Sequence, residues 1–125
     1  MINIVLVGLG GFVGAVCRYL LGLIPVNEAF IFPIKTLIIN VLGCIAIGAI
    51  ALFATKHTGY NQGLILFLKV GICGGFTTFS TFALETSDLM RSGHGFMALL
   101  YVLLSVMAGV GTIYFIESSN PYFHP

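Results

Sequence analysis

A run of glycines, hydroxyl residues and phenylalanines, GGFTTFSTFALE, interrupts an apolar stretch of the chain between Gly74 and Glu85. Glycine weakens a helix by its backbone freedom, and a threonine hydroxyl competes for backbone hydrogen bonds. Irregular backbone at membrane depth must be buried in protein or line a hydrated path. Carbonyls freed there can hold a sodium-sized cation. The alternative is a glycine packing face whose hydroxyls bond back to their own helix.

The phenylalanines of this run have a second possible role. Phe79 and Phe82 are three residues apart and therefore share one face of a helix. An aromatic ring has a positive edge, so rings presented edge-on can stabilise a small anion without a formal charge. Packing against lipid or the protein core is the ordinary explanation for such a pair.

Further polar residues lie in the other apolar stretches. Asn40 is the lone amide of the second stretch, and a buried amide in lipid is costly unless it is hydrogen-bonded. Its side chain either joins two helices by hydrogen bonding or donates a hydrogen bond to a solute that passes. The last stretch carries a stripe of small or polar residues at helical spacing: Tyr101, Ser105, Gly109 and Thr112. This stripe makes either ordinary interhelical hydrogen bonds or a ladder of hydroxyl donors.

Two ionisable side chains lie near the ends of these stretches. Arg18 either draws anions towards a vestibule or snorkels to the lipid headgroups. Glu85, one turn beyond Thr81, either holds a helix by hydrogen bonding or regulates a polar track. Donors and ring edges with little fixed positive charge suit a small, strongly hydrated anion, because rings of Lys or Arg would hold it too tightly for conduction.

The composition places these residues in a membrane. Of the 125 residues, 58% are hydrophobic and 7% are charged, whereas soluble domains carry roughly 25% charged residues. A net charge of +1 without basic clusters argues against a nucleic-acid partner. The three cysteines lie in apolar stretches without CxxC spacing, so we expect buried small side chains. No nucleophile–base pair or metal-ligand cluster indicates an enzyme.

Four stretches are long enough to cross a bilayer, which takes about 20 mostly apolar residues. They cover about 2–24, 33–54, 64–90 and 96–116. The pattern predicts an all-α integral membrane protein, one four-helix domain over residues 1–125, with the third helix broken at its centre. The polar, proline-containing tail, 117–125, is expected to fray.

Glycines also occur at a spacing that is typical of helix packing in lipid, where small residues let backbones approach closely. Gly10 and Gly14 form one GxxxG pair, and Gly71 and Gly75 form another. We therefore expect close-packing faces on the first and third spans.

The cations are nearly balanced between the two sides of the membrane, and Lys/Arg asymmetry sets orientation. If both termini lie on one side of the membrane, that side carries two cations, Lys56 and Lys69. The opposite side then carries three cations: Lys35, Arg91 and Arg18. This near tie predicts insertion in both orientations and an antiparallel, dual-topology homodimer. A single orientation chosen by a weak bias is the alternative.

Over essentially its whole length the chain resembles the Fluc/CrcB fluoride channels. The resemblance rests on GGFTTFSTFALE, on the INVLG that holds Asn40 and Gly43, on the late arginine of the first span and on the four short spans. It implies an antiparallel homodimer in the bacterial inner (plasma) membrane, with two pores that passively export fluoride and so reduce its toxicity. It also implies a structural sodium ion between the subunits, held by the backbone carbonyls of Gly74 and Thr77.

The resemblance further implies which residues form each pore. Phe79 and Phe82 would line it, and Asn40 would donate to fluoride. Glu85 would lie near one end of a polar track, and Arg18 near the vestibule. The track itself would comprise Ser80, Thr81, Tyr101 and Ser105.

One position departs from the family pattern. Some relatives have a further hydroxyl one turn after the Ser105 position, where this chain has Gly109. The lower track is then either shorter here or completed by Thr112.

Two other functions fit some of these features. Small multidrug transporters also have four spans and often dual topology, but resemble each other in a membrane-embedded glutamate in the first span, where this chain has only Arg18. A non-transporting membrane scaffold would tolerate substitution of Phe79 or Asn40 without any effect except on stability.

Overall fold

The computed structural model describes residues 1–27, 29–56, 59 and 61–119, and the regular elements within these ranges are helices. Two long helices come first: α1 (Ile2–Gly22) and α2 (Ile34–Lys56). The third stretch contains α3 (Gln62–Ile65), the π-helix π1 (Leu66–Cys73), α4 (Gly74–Phe76) and α5 (Phe79–Arg91). The last helix is α6 (Gly95–Ser118). The tail was expected to fray from residue 117, but Glu117 and Ser118 still belong to α6. Residues 120–125 lie outside the described part.

Among the described residues, four stretches are long and apolar enough to cross a membrane, so the prediction of four spans is confirmed. They are Ile2–Gly22, Ile34–Thr55, Gln62–Arg91 and Gly95–Ser118. Only 11–17% of the most apolar part of each span is buried inside the chain. Most of each apolar surface therefore faces outward, as it does when the surroundings are lipid or another apolar chain.

Glycines allow α1 to lie directly against π1 and α4. A Cβ atom at Gly10 would lie 2.9 Å from the Cα of Gly71, and one at Gly14 would lie 2.8 Å from the amide nitrogen of Phe76. Gly75 is equally close to the backbone of α1. The two GxxxG pairs are therefore packing faces, as predicted, and the structure shows that they face each other.

Gly14→Ala should lower the free energy of unfolding by about 1–3 kcal/mol, because its methyl group would meet backbone that cannot rotate away. Gly8→Ala is the matched control, since a Cβ atom at Gly8 has nothing within 4 Å. Alanine also favours a helix over glycine by about 1 kcal/mol, so the control should be neutral or stabilising. Unfolding in detergent micelles measures both, and equal effects would contradict the packing role.

The π-helix π1 is a feature that the apolar pattern did not predict. A π-helix bonds each amide to the carbonyl five residues earlier, and such segments often occur at functional sites. Here π1 directs Gly71 towards α1 and places Lys69 on the groove described below.

A small buried cluster joins α5 and α6 to the region around the start of α2. Its buried members are Leu89, Ala98 and Tyr101, and the residues packed around them are Phe32, Leu37 and Phe82. The ring of Tyr101 lies edge-on to Phe32, with centroids 5.4 Å apart. The turn before α6 contains Gly93 at φ 84°, a conformation that glycine adopts without strain. This cluster fixes where the Tyr101 hydroxyl points.

Candidate functional site

The backbone leaves the helix between α4 and α5 for two residues, Thr77 and Thr78, which we call the α4–α5 junction. Their φ, ψ values are −80°, 157° and −147°, 114°, so both are extended. The hydroxyl of Thr78 caps α5 by accepting a hydrogen bond from the Thr81 amide at 3.2 Å. Because the junction lies within the third span, its backbone groups need partners from protein.

Asn40 supplies two of these partners from α2. Its Oδ1 accepts from the Thr78 amide at 2.9 Å, and its Nδ2 donates to the Thr78 carbonyl at 3.1 Å. The side chain thus pairs with Thr78 as a neighbouring backbone strand would. A carboxamide has two N–H donors, so one remains for a further acceptor. Two roles were considered for Asn40. The structure shows that it joins helices, and one N–H donor remains for the second role, donation to a passing ion.

The same hydrogen bonds deprive two carbonyls of their usual donors. In a continuous helix the Thr78 amide would bond to Gly74 O, and the Thr81 amide to Thr77 O. Here the first amide donates to Asn40 and the second to the Thr78 hydroxyl. The Thr77 hydroxyl instead bonds back to Cys73 O at 2.9 Å, as the packing-face alternative expected. Within the described part of the chain, the oxygens of Gly74 and Thr77 therefore lack the amide donors that a continuous helix would supply.

Gly43 lets α2 reach the junction. A Cβ atom at this position would collide with the methyl group of Thr77 and lie 3.5 Å from the ring of Phe76. Gly43 and Asn40 are three residues apart and share one face of α2. The INVLG motif thus combines a close approach with a pair of hydrogen bonds.

The two phenylalanines predicted to share a helix face are neighbours at the start of α5. The ring centroids of Phe79 and Phe82 are 5.7 Å apart at an interplanar angle of 44°. Phe82 is half-buried and lies 5.1 Å from the ring of Tyr101. Phe79 is 79% exposed in the single chain. One ring is fixed by the core, whereas the other faces away from it.

Hydroxyl groups surround the first turn of α5. The hydroxyl of Thr78 contacts those of Ser80 and Thr81 at 3.4 and 3.0 Å. Ser80 is exposed and Thr81 is half-buried. Ser80 and Thr81, which the resemblance assigns to the polar track, thus both contact the Thr78 hydroxyl at the α4–α5 junction.

Glu85 is held by hydroxyl donors from two other helices. Thr36 Oγ1 donates to Oε1 at 2.7 Å, and the Tyr101 hydroxyl donates to Oε2 at 2.8 Å. Thr36 and Tyr101 are both buried. The carboxylate therefore joins α2, α5 and α6, which agrees with the helix-holding role considered for it. Its role in a polar track stays a prediction.

A groove of about 550 Å³ runs along the junction between α2, π1 and α6. Its polar or charged lining residues are Asn40, Lys69, Thr77, Thr78 and Ser105, and its aromatic ones are Phe79 and Phe82. Within the described part of the chain, the buried Oγ of Ser105 has no hydrogen-bond partner. The groove is thus lined by an amide, a hydroxyl without a partner among the described residues, two phenylalanine rings and a lysine.

The hydroxyl missing at Gly109 is not replaced within this groove. A Cβ atom at Gly109 would lie 3.3 Å from Cys44 Sγ, so Cys44 already occupies this space. Thr112 lines a different depression, which also contains Met107 and Phe115. Ser105 is therefore the α6 hydroxyl that reaches the groove.

Arg18 does not join these residues within one chain. It is half-buried on α1, and it is not among the residues that line the groove. Its assignment to a vestibule stays a prediction, and in an antiparallel pair it would depend on the partner's position.

Comparison with known proteins gives the family of this chain. Residues 5–116 match the family described as "CrcB-like protein, Camphor Resistance (CrcB)". The chain belongs to the CrcB family. It is 47% identical over 107 residues to the fluoride-specific ion channel FluC of Ruminiclostridium cellulolyticum, covering 85% of this chain and 82% of that protein. The FluC of Chlorobaculum tepidum is 43% identical over 114 residues, 91% of this chain and 90% of its own length. This CrcB-family chain is a multi-pass membrane protein.

Three residues of this CrcB-family site were missed by reasoning from the sequence. Thr36 precedes Asn40 by four residues and so shares its helix face, a signal that would have placed it near Asn40. Gly43 was quoted only as part of a motif. Lys69 was considered only for its charge, because the apolar sequence of π1 did not indicate on which face of the helix Lys69 lies.

Tyr101→Phe should lower the free energy of unfolding of this CrcB-family protein by about 1.5–3 kcal/mol, the value of a hydrogen bond to a charged group. The substitution leaves the buried ring in place and removes only the donor to Glu85. Tyr114→Phe on the same helix is the control, because Tyr114 is 73% exposed and should change stability little. Similar losses for both variants in a detergent unfolding experiment would contradict the role of the Glu85 contact.

Proposed function

We propose that this protein is a fluoride-selective channel that passively exports fluoride from the cytoplasm. The observation that carries the proposal is the single groove that brings together the Asn40 amide, the Ser105 hydroxyl and the rings of Phe79 and Phe82. Its relatives are named fluoride-specific ion channels. The protein is accordingly a channel and not an enzyme.

The chemistry of the groove suits fluoride. Fluoride is small and strongly hydrated, so several donors must replace its water as it passes. One N–H of Asn40, the Ser105 hydroxyl and the positive ring edges are each weak partners. Conduction requires binding that is favourable enough for the ion to enter and weak enough for it to leave. A series of neutral donors meets both conditions.

A second copy of the chain in the opposite orientation would complete the path. Phe79 is largely exposed although it lies in a membrane span. A Cβ atom at Gly74 would meet nothing within 4 Å, so contacts inside the chain do not require glycine there. Both features support an antiparallel homodimer in the lipid bilayer with two pores, built around a third span that is broken at the α4–α5 junction.

Dual topology is tested with a C-terminal reporter that is active on only one side of the membrane. Paired fusions, one reporter for each side, should both give signal. Signal from one side alone would reject the antiparallel arrangement while leaving the transport proposal in place.

The residues at the junction fit a structural sodium ion. Gly74 O and Thr77 O have lost the amide donors that a continuous helix would supply. Unwound carbonyls of this kind coordinate Na⁺ in membrane proteins. Two such carbonyls from each subunit would hold the ion on the dimer axis, where its charge would fix the two junctions relative to each other.

The function is tested by fluoride efflux from proteoliposomes. Vesicles loaded with fluoride should release fluoride when a potassium ionophore compensates the charge that the anion carries out. Vesicles loaded with chloride should retain chloride under the same conditions. In the bacterial inner (plasma) membrane, HF that enters and ionises inside would supply the outward gradient and make such a channel protective. Absence of fluoride release by correctly folded protein would reject the proposal.

A further inference from the structure

We propose that Lys69 is the charge that draws fluoride into the groove from one side of the membrane. This inference rests on the function proposed above and adds a residue to it. Lys69 is exposed, and it lines the same groove as Asn40, Thr78 and Ser105. A cation on the wall of an anion path acts on ions before they reach the neutral donors.

The depth of Lys69 places it at the mouth of the groove. It precedes Thr77 by eight residues, which is at most about 12 Å, because a π-helix rises less than the 1.5 Å per residue of an α-helix. The hydrocarbon core extends about 15 Å on each side of its centre. With the junction near that centre, the Cα atom of Lys69 lies near the edge of the core. Its four-carbon stem can then keep the ammonium group in water.

The charge of Lys69 is not neutralised within the described part of the chain. Its Nζ has no hydrogen bond or ion pair there. The nearest carboxylate along the third span, Glu85, accepts hydrogen bonds from Thr36 and Tyr101 instead. By contrast, Lys35 Nζ donates to Gly22 O at 3.0 Å and lies outside the groove. Lys69 is therefore a cation on the wall of the groove that has no ion-pair or hydrogen-bond partner among the described residues.

A cation in a cleft with low-dielectric walls raises the local concentration of anions and their rate of entry by about 10- to 1,000-fold. This effect weakens with salt, since the Debye length falls from about 30 Å at 0.01 M to about 3 Å at 1 M. A charge that merely binds lipid headgroups would not give a salt-dependent fluoride flux. Ionic strength therefore distinguishes the two roles.

The experiment compares Lys69→Gln with Arg91→Gln, which removes the same charge from an exposed residue outside the groove. Fluoride efflux is measured from proteoliposomes of neutral phosphatidylcholine at low fluoride, with an impermeant salt setting ionic strength. We expect Lys69→Gln to reduce the initial rate about tenfold at about 0.01 M salt, with the difference lost near 1 M. Lys69→Arg and Arg91→Gln should conduct as the unmodified protein does.

Several outcomes would overturn the inference. Equal rates for Lys69→Gln and the unmodified protein at low salt would do so. A loss that persists at 1 M in correctly folded protein would do so too, because salt of that concentration screens long-range attraction. An effect seen only in vesicles with anionic lipid would assign Lys69 to headgroup binding. If the unmodified protein itself releases no fluoride, the proposed function fails, and that result is separate from the behaviour of Lys69.

Discussion

Asn40→Asp should reduce fluoride flux per folded protein at least about tenfold, which corresponds to about 1.4 kcal/mol. The Asn40 amide donates to the Thr78 carbonyl and has one further N–H for a passing anion. An ionised aspartate has neither donor, and its charge would repel both the carbonyl oxygen and fluoride. Efflux from fluoride-loaded proteoliposomes, normalised to monodisperse protein, measures the change.

Two further variants separate transport from stability at this position. Asn3→Asp adds the same charge at an exposed site at the start of α1 and should leave flux unchanged. Asn40→Leu leaves both the amide and the carbonyl of Thr78 unpaired, and each unpaired buried group costs about 1–3 kcal/mol. Aspartate at this position still accepts a hydrogen bond from the Thr78 amide. Asn40→Leu should therefore destabilise the protein more than Asn40→Asp does. Normal conduction by Asn40→Asp would show that Asn40 serves only to join helices.

Phe79→Ile should reduce the fluoride flux at least about tenfold and should have little effect on folding. Phe79 is 79% exposed within the chain and makes few contacts there, so the substitution should change the stability of the chain itself by about 0.5 kcal/mol or less. Isoleucine is similarly apolar but has no positive ring edge to offer an anion. Fluoride efflux and the thermal midpoint of the same preparation give both quantities.

The control for Phe79 is Phe96→Ile, because Phe96 is 75% exposed and lies outside the groove. It should alter neither flux nor stability. A membrane scaffold without transport would show no difference between the two variants in any assay. Phe82→Ile should lose flux and also some stability, since its ring packs 5.1 Å from that of Tyr101.

The four spans and both packing faces could be predicted from the sequence because lipid imposes simple local requirements. A span needs a certain length of apolar residues, and backbones can approach closely only where side chains are small. Gly10 and Gly14 satisfy the second requirement by their spacing alone. What spacing did not show is that Gly10 meets Gly71 and that Gly14 meets the backbone of Ile72 and Phe76, because periodicity indicates a packing face but not its neighbour.

Residue type and position singled out most of the candidate site residues but left their roles open, and the family resemblance then implied one role for each. Asn40 had two possible roles, and Glu85 had two. The hydrogen bonds to Thr78 and to Thr36 and Tyr101 show the structural role of each. Their transport roles stay predictions that flux measurements address.

The sequence by itself determined that this chain lies in a membrane as four helices and that irregular backbone was to be expected between Gly74 and Glu85. Only the tertiary structure decided which groups meet there. Asn40 and Thr78 are 38 residues apart, and Thr36 and Glu85 are 49 apart. Hydrogen bonds over such separations depend on how the helices are placed to within a fraction of an ångström. Local spacing fixes only the direction in which a side chain leaves its own helix.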